Sequence, residues 1–284
     1  MYILFILSIN QAMALGEFRT SGARQAGMGF NSISLPSVYS VYNNQAASAF
    51  LEKKSFGLYY SPVFIGEGVN NISGVMAIPV SKAGTFGLSF GYYGYNAYND
   101  KKIGLSYAIK LAKFISVGMQ LDWINTRIEG YGQKNFATFE LGIMAKPIEE
   151  LSIAAHVYNP LKLYIDDTKV EKIPTVLKFG ATYEAIKKFF ITLELEQEFG
   201  RKTRVRAGLD YTYKEIVSFR AGISTDPTIA SVGVGVKLKQ GLMIDFATSY
   251  NTNIGFSPHV GIAYEIKNKP KLEKTTKKKK TNKK

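Results

Sequence analysis

The sequence predicts an all-β fold, a 14-stranded antiparallel transmembrane β-barrel with a short N-terminal segment before it. Three observations lead to this prediction. Apolar and polar residues alternate along successive segments, the connections alternate between short and long, and glycine recurs on the polar side of the segments. A period of two is typical of a strand with one apolar face and one polar face. A soluble β-protein with its apolar face inward is the alternative.

Residues 1–14 are predicted to be an export signal. An apolar run at Tyr2–Ile9 precedes Ala12-Met13-Ala14, which has the small-residue pattern of a cleavage site. An N-terminal core strand is the alternative interpretation. Elsewhere no run reaches the roughly 20 apolar residues of a spanning helix. A membrane role would therefore come from β-structure.

Residues 55–267 are predicted to form the barrel. Strand and connection together average about 15 residues, close to the roughly 10-residue strands plus turns of outer-membrane barrels. The strands are expected to begin near Ser55, Asn71, Gly84, Lys101, Phe114, Asn135, Leu151, Pro174, Phe189, Thr203, Ile216, Ala230, Gly241 and Pro258.

The connections predict which rim faces the periplasm. Links from even-numbered to odd-numbered strands are short, as at Ser81–Ala83 and Ala112-Lys113. Several odd-to-even links are longer, among them Tyr93–Asp100, Asn125–Lys134 and Asn159–Ile173. Short turns are periplasmic in bacterial outer-membrane barrels. An even number of strands then places both chain ends in the periplasm.

Glycines and aromatic residues favour lipid around the apolar face. Glycine packs nothing on a solvated strand surface, but on a concave wall it makes room. The glycines on the polar face are Gly57, Gly87, Gly91, Gly104, Gly118, Gly142, Gly180, Gly208, Gly222, Gly233, Gly235 and Gly261. Two aromatic girdles on the apolar face are predicted at Tyr92, Trp123 and Tyr250 and at Tyr183, Tyr213 and Tyr264. A 14-stranded barrel is also too wide to be filled by its own side chains.

Two neighbouring strands carry a ladder of charges that is predicted to face the lumen. The ladder consists of Glu194, Glu196, Glu198, Arg204, Arg206 and Asp210. A hairpin centred near Arg201 would pair Glu198 with Arg204. It would also pair Glu196 with Arg206. Such cross-strand pairs are each worth about 0.2–1 kcal/mol.

Residues 15–54 carry a motif between the signal and the barrel. Its residues are Gly22, Arg24, Met28, Gly29 and Asn43. The stretch resembles the N-terminal region of the PorV/PorQ branch of the FadL-like outer-membrane proteins, in which G-x-R-x-x-x-M-G precedes an Asn-Pro-Ala-like turn. Here Asn43–Ala46 lacks the proline, and Pro36–Tyr42 lacks the usual acidic residues. A turn-rich linker is the alternative.

The resemblance implies that residues 15–54 form a hatch in the periplasmic mouth of a barrel in the bacterial outer membrane. It also implies a non-catalytic accessory or docking role in type IX secretion and surface attachment of exported proteins, with lipid and proteins of that complex as partners. The alternative is a FadL-like transporter of hydrophobic small molecules. That function requires an apolar pocket near the hatch and a lateral opening, such as a kink at Pro79 or Pro160. A barrel that tethers the envelope is a third possibility.

Charge and composition narrow the chemistry. Of a net charge of +14, residues 267–284 contribute ten Lys and one Glu. Residues 268–284 are therefore predicted to be a disordered periplasmic tail that meets peptidoglycan or anionic lipid, and no nucleic-acid partner is expected. The chain has no Cys and only two histidines, His156 and His259. The adjacent acids Asp166-Asp167 and Glu149-Glu150 suit solvated turns. We therefore expect no enzyme activity, catalytic residue, metal or cofactor.

Overall fold

The computed structural model describes residues 20–63, 68–161 and 173–266. Within these ranges, fourteen antiparallel strands close into one barrel in chain order, with the first strand paired to the last. This confirms the predicted fold class. The predicted signal, the acids Asp166-Asp167 and the Lys-rich tail lie outside the described residues. In the described part of the chain, no helix is long and apolar enough to cross a membrane.

Three short helices precede the strands, and every strand begins within three residues of its predicted start. The helices are α1 (Ala23–Gly27), α2 (Ser40–Asn43) and α3 (Gln45–Ser48). The strands are β1 (Ser55–Pro62), β2 (Asn70–Pro79), β3 (Thr85–Gly94), β4 (Tyr98–Ala112), β5 (Ile115–Ile128), β6 (Gly132–Ile148), β7 (Leu151–Tyr158), β8 (Val176–Ile186), β9 (Phe189–Glu198), β10 (Arg204–Tyr213), β11 (Val217–Ser224), β12 (Ile229–Lys237), β13 (Leu242–Asn251) and β14 (Gly255–Glu265).

The two faces of the strands separate as predicted. On β9 and β10, Leu193 is 56% exposed and Val205 44% exposed on the outside of the barrel. Their neighbours Glu194 and Arg206 are 1% and 5% exposed, because they point into a filled lumen. A belt of exposed apolar side chains around a polar interior is the arrangement of a membrane barrel.

Two predicted outer loops are mostly strand, so their prediction was wrong. Pairing continues to Gly94 opposite Asn99 at the end of the β3–β4 hairpin. It continues to Ile128 opposite Gly132 in the β5–β6 hairpin. Turn-forming residue types suggested loops, but pairing satisfies the backbone groups of polar segments that extend beyond the membrane.

The predicted pairing of the charge ladder was wrong by two residues. Arg204 lies opposite Glu196, and Arg206 lies opposite Glu194. The β9–β10 turn takes up residues 199–203, and Glu198 contacts Arg201 at 2.9 Å beside that turn. A slip of two residues keeps every side chain on its own face. The assignment of the ladder to the lumen is therefore unchanged.

Residues 20–54, which we call the plug, run through the barrel interior. Among the described residues, ten of the twelve lumen glycines lie where an added Cβ would contact the plug within 4 Å. At Gly222 that Cβ would lie 2.1 Å from the carbonyl carbon of Met28, and at Gly118 it would lie 2.5 Å from the amide of Ala46. The glycines therefore provide the space in which the plug packs. The ten are Gly57, Gly87, Gly91, Gly118, Gly142, Gly180, Gly208, Gly222, Gly233 and Gly261.

Candidate functional site

The N-terminal motif forms the first turn of the plug. Gly22 caps α1 with φ 111°, and Gly29 adopts φ 68°, both in the region that favours glycine. Between them, the Arg24 Nε donates to Asp210 at 2.8 Å, while Met28 is fully buried. Burial lowers the pKa of Arg24, but the carboxylate of Asp210 outweighs it, so the pKa lies above its ordinary value. The motif residues of this first turn therefore each have a structural role, as a backbone turn, an ion pair or a buried apolar contact.

The asparagine turn fixes the other end of the plug. The Asn43 side chain accepts from the backbone amide of Ser21 at 2.9 Å and donates to its carbonyl at 2.8 Å. Asn44 caps α3 by accepting from the Ala46 amide, and its side-chain nitrogen donates to the Ile33 carbonyl. Asparagine is a preferred N-cap residue. Asn43 therefore ties the two ends of the plug together inside the lumen.

The charge ladder anchors the middle of the plug to the wall. Arg206 contacts Glu194 at 2.7 Å and Glu196 at 2.8 Å, and Lys178 contacts Glu196 at 2.9 Å. The second oxygen of Glu194 accepts the backbone amide of Ser32 at 2.7 Å. Removal of one partner from a buried ion pair costs about 3–5 kcal/mol. These side chains hold the plug rather than line an open pore.

Two further buried charge clusters complete the anchoring. Asp210 joins Arg24 of the plug to Arg220, which also contacts Asp245 at 2.7 Å.

Across the barrel, Glu140 receives Lys102 at 2.7 Å, His156 at 3.0 Å and Gln45 of α3 at 2.8 Å. Asp122 contacts Lys102 at 3.7 Å. Sequence reasoning missed this cluster, because nothing local in the sequence shows that Gln45 of the plug meets Lys102 of β4 and Glu140 of β6.

A cavity of about 180 Å³ lies on the outer side of the plug. Its inner boundary includes Phe30, whose φ of 67° is unusual for a residue with a side chain and follows the left-handed Gly29. The Phe30 ring meets His259 edge-on, with 5.6 Å between ring centroids. His259 is hydrogen bonded through Nδ1 to Tyr59 and through Nε2 to Ser249, both at 2.9 Å. The sequence offered no partner for His259, since both partners come from other strands.

A wider vestibule opens outside this cavity. It measures about 520 Å³ and is lined mainly by charged and polar residues of the β9–β10 turn and its neighbours. Arg204 and Pro227 border both the vestibule and the cavity. The two spaces therefore adjoin and lead from the β9–β10 turn down to the plug.

The seam between β1 and β14 loses its backbone pairing beside the cavity. Among the described residues, which omit 64–67, pairing runs from Ser55–Glu265 to Tyr60–Val260 and stops there, although β14 extends to Gly255. In the same register Pro62 would face Pro258, and proline has no amide hydrogen to donate to a ladder.

The residues beyond the last pair border the cavity. The hydroxyl of Ser257 donates to the carbonyl of Val63 at 2.8 Å across the gap. Ser61, Val63, Ser257 and His259 all line the cavity. The cavity is thus separated from the lipid by a stretch of wall that its side chains hold together.

The expected kinks at Pro79 and Pro160 do not provide this opening. Pro79 is paired with Thr85 at the end of β2 that leads into the short β2–β3 turn. Pro160 follows β7, whose pairing with β8 runs to Tyr158 opposite Val176. In the described residues, neither proline interrupts a strand pair.

The described residues form a closed 14-stranded β-barrel with a plug inside it, and this fold resembles that of FadL-type barrels. The chain is similar in structure to the CymD monoaromatic hydrocarbon channel, with a TM-score of 0.70, 12% identity, and coverage of 87% of this chain and 98% of that one. The toluene transporter TbuX of Ralstonia pickettii gives a TM-score of 0.69 at 11% identity, covering 89% and 100%. A FadL homologue of Pseudomonas aeruginosa gives 0.65 at 12% identity, covering 88% and 99%.

These identities are low, so the likeness establishes the fold and not the cargo. No family model matches the sequence, and no curated protein matches it. The finer resemblance to the PorV/PorQ branch rests on the N-terminal motif and stays a prediction.

Proposed function

We propose that this chain conducts small hydrophobic molecules from the cell exterior into the outer membrane. The observation that carries the proposal is the cavity between the plug and the unpaired outer part of the β1–β14 seam. The neighbours of the same fold include a monoaromatic hydrocarbon channel and a toluene transporter, which supports this class of cargo.

The size of the cavity favours a compound of about one aromatic ring. Its volume of about 180 Å³ is close to the ~150 Å³ of an engineered apolar cavity that binds benzene. Phe30, Val63, Ile229 and Ile254 supply apolar surface, and His259 supplies a ring edge and face. A long acyl chain would extend beyond this space.

The anchored plug favours a lateral exit. Below the cavity the plug is tied to the wall by buried ion pairs and hydrogen bonds on several sides of the barrel. The unpaired seam, by contrast, is spanned by side-chain contacts such as Ser257 to Val63. Separating such contacts costs less than breaking a backbone ladder or a buried charge cluster. A hydrophobic molecule would therefore leave the cavity sideways into hydrocarbon.

A disulfide across the seam tests this route. The chain contains no cysteine, so Val63→Cys with Ser257→Cys introduces a single crosslink at the unpaired stretch. We expect oxidation to reduce uptake of radiolabelled toluene to the level of cells without the protein, and a reductant to restore it. The matched control is Ile223→Cys with Ala230→Cys across β11–β12, which are already paired. Unchanged uptake in the fully crosslinked seam variant would refute the lateral route.

An accessory or docking role in type IX secretion is the second candidate. The N-terminal motif and the firmly anchored plug favour it, because a sealed barrel suits a scaffold for exported proteins. Deletion of the gene separates the two proposals. Loss of surface attachment of exported proteins with unchanged toluene uptake would favour docking, and the reverse result would favour transport.

A further inference from the structure

Among the described residues, an excess of positive charge lies at one end of the barrel. The last three residues of each even-numbered strand, the turn after each, and residues 51–54 together hold eleven Lys and six Glu. We call these lysines the lysine collar. Residues 267–284 add ten Lys and one Glu, so these two regions account for the whole net charge of +14. The collar consists of Lys53, Lys54, Lys82, Lys110, Lys113, Lys146, Lys187, Lys188, Lys214, Lys237 and Lys239.

The collar lies at the edge of the apolar belt. Its turns also carry exposed apolar side chains, such as Leu111 at 66%, Ile186 at 64% and Ile216 at 52%. Nine of the eleven lysines are exposed, and Lys146 and Lys188 are half-buried. A lysine beside a membrane lays its stem along apolar surface and extends its ammonium to the headgroup region. The collar is therefore placed to meet the headgroups of the periplasmic leaflet.

A crevice of about 360 Å³ in this rim is lined by both lysines and apolar side chains. Its lysines are Lys53, Lys214, Lys237 and Lys239. Glu215 and Glu265 also line it, and Lys53 contacts Glu265 at 3.1 Å, so the lysines remain in excess. Ile216 and Leu238 add apolar surface at the same place. A phospholipid would fit this crevice with an acyl chain against the apolar residues and its phosphate near the lysines.

We propose that the lysine collar binds the headgroup phosphates of anionic phospholipids in the periplasmic leaflet, with this crevice as its principal site. Outside these two regions the charges of the chain sum to zero, and an anionic headgroup is attracted by a local excess of lysine. Because the collar lies on the opposite side of the plug from the cavity, this inference does not depend on the proposed transport.

Lipid binding by the full-length protein tests the collar. Purified protein in detergent is titrated with phosphatidylglycerol or phosphatidylcholine, and bound lipid is counted by native mass spectrometry. The collar variant is Lys214→Gln, Lys237→Gln and Lys239→Gln. The matched control is Lys101→Gln, Lys134→Gln and Lys202→Gln at the outer end. We expect the wild type and the control to retain more phosphatidylglycerol than phosphatidylcholine, with a salt-sensitive preference, and the collar variant to lose that preference.

Two results with the full-length protein would overturn the proposal. One is equal retention of the two lipids by the wild type, a result that needs no variant to fold. The other is an equal loss in the outer control. The titration is repeated without residues 268–284, and a preference that disappears with the tail alone also counts against the collar. Binding to purified peptidoglycan without a lipid preference would assign the collar to a different partner.

Discussion

Replacement of Gly222 by alanine should loosen the plug while leaving the barrel closed. Gly222 on β11 lies directly opposite Gly208 on β10, and both glycines pack against Met28 of the plug. An alanine Cβ at position 222 would lie 2.1 Å from the carbonyl carbon of Met28 and 2.2 Å from the amide of Gly29. Both atoms belong to the backbone, so no side-chain rotation relieves the overlap.

The size of the effect follows from this overlap. Ordinary contact begins at 3.4 Å, so the plug must retreat by roughly 1.3 Å or the strand must bend. Overpacking of a filled interior costs typically about 1–3 kcal/mol. We expect that loss in the free energy of unfolding in lipid vesicles. We also expect ion conductance in planar bilayers to rise as the displaced plug opens the lumen.

Gly74→Ala is the matched control. Gly74 lies on β2, and its added Cβ would meet only the end of the Leu58 side chain at 3.4 Å among the described residues. This variant should unfold and conduct as the wild type does. If Gly222→Ala matches Gly74→Ala in both measurements, the glycines do not seat the plug and the reasoning is refuted.

Two other substitutions test the wall. Glu194→Gln should destabilise the barrel by about 3–5 kcal/mol in urea titrations, because it leaves Arg206 short of a buried carboxylate. The control is Glu149→Gln in an exposed turn. A loss of stability no larger than that of the control would contradict the anchoring role of Glu194. Leu193→Arg should cost roughly 2–4 kcal/mol if this side chain faces the bilayer centre, and a cost matching that of Leu193→Ala would place it outside the hydrocarbon.

The sequence predicted the barrel well because its signal is local and repeated. Alternation at Leu193-Glu194 or Val205-Arg206 reports a face within a few residues, and the turn residues locate each strand start to within three residues. The pairing of Glu196 was wrong because turn length, not parity, fixes register. Parity survives a slip of two residues, so the lumen assignment was right while the partners were not.

The candidate site was less predictable because its parts are distant in the chain. Phe30, Tyr59, Ser249 and His259 meet only after the barrel has closed and the plug has entered it. The loss of pairing at Pro62 also depends on a strand some 200 residues away. One signal was available in the sequence. The lumen glycines indicated that a segment packs against them, but they did not show where a cavity remains beside that segment.

Anomalous diffraction from crystals soaked with bromobenzene shows whether the cavity binds an aromatic hydrocarbon. We expect a bromine peak in the cavity that Phe30 and His259 line. The peak should disappear when Ile229→Trp fills that space and persist when Val232→Trp adds the same ring to the lipid face. Bromine found only on the outside of the barrel, with none beside Phe30 in the wild type, would contradict the account.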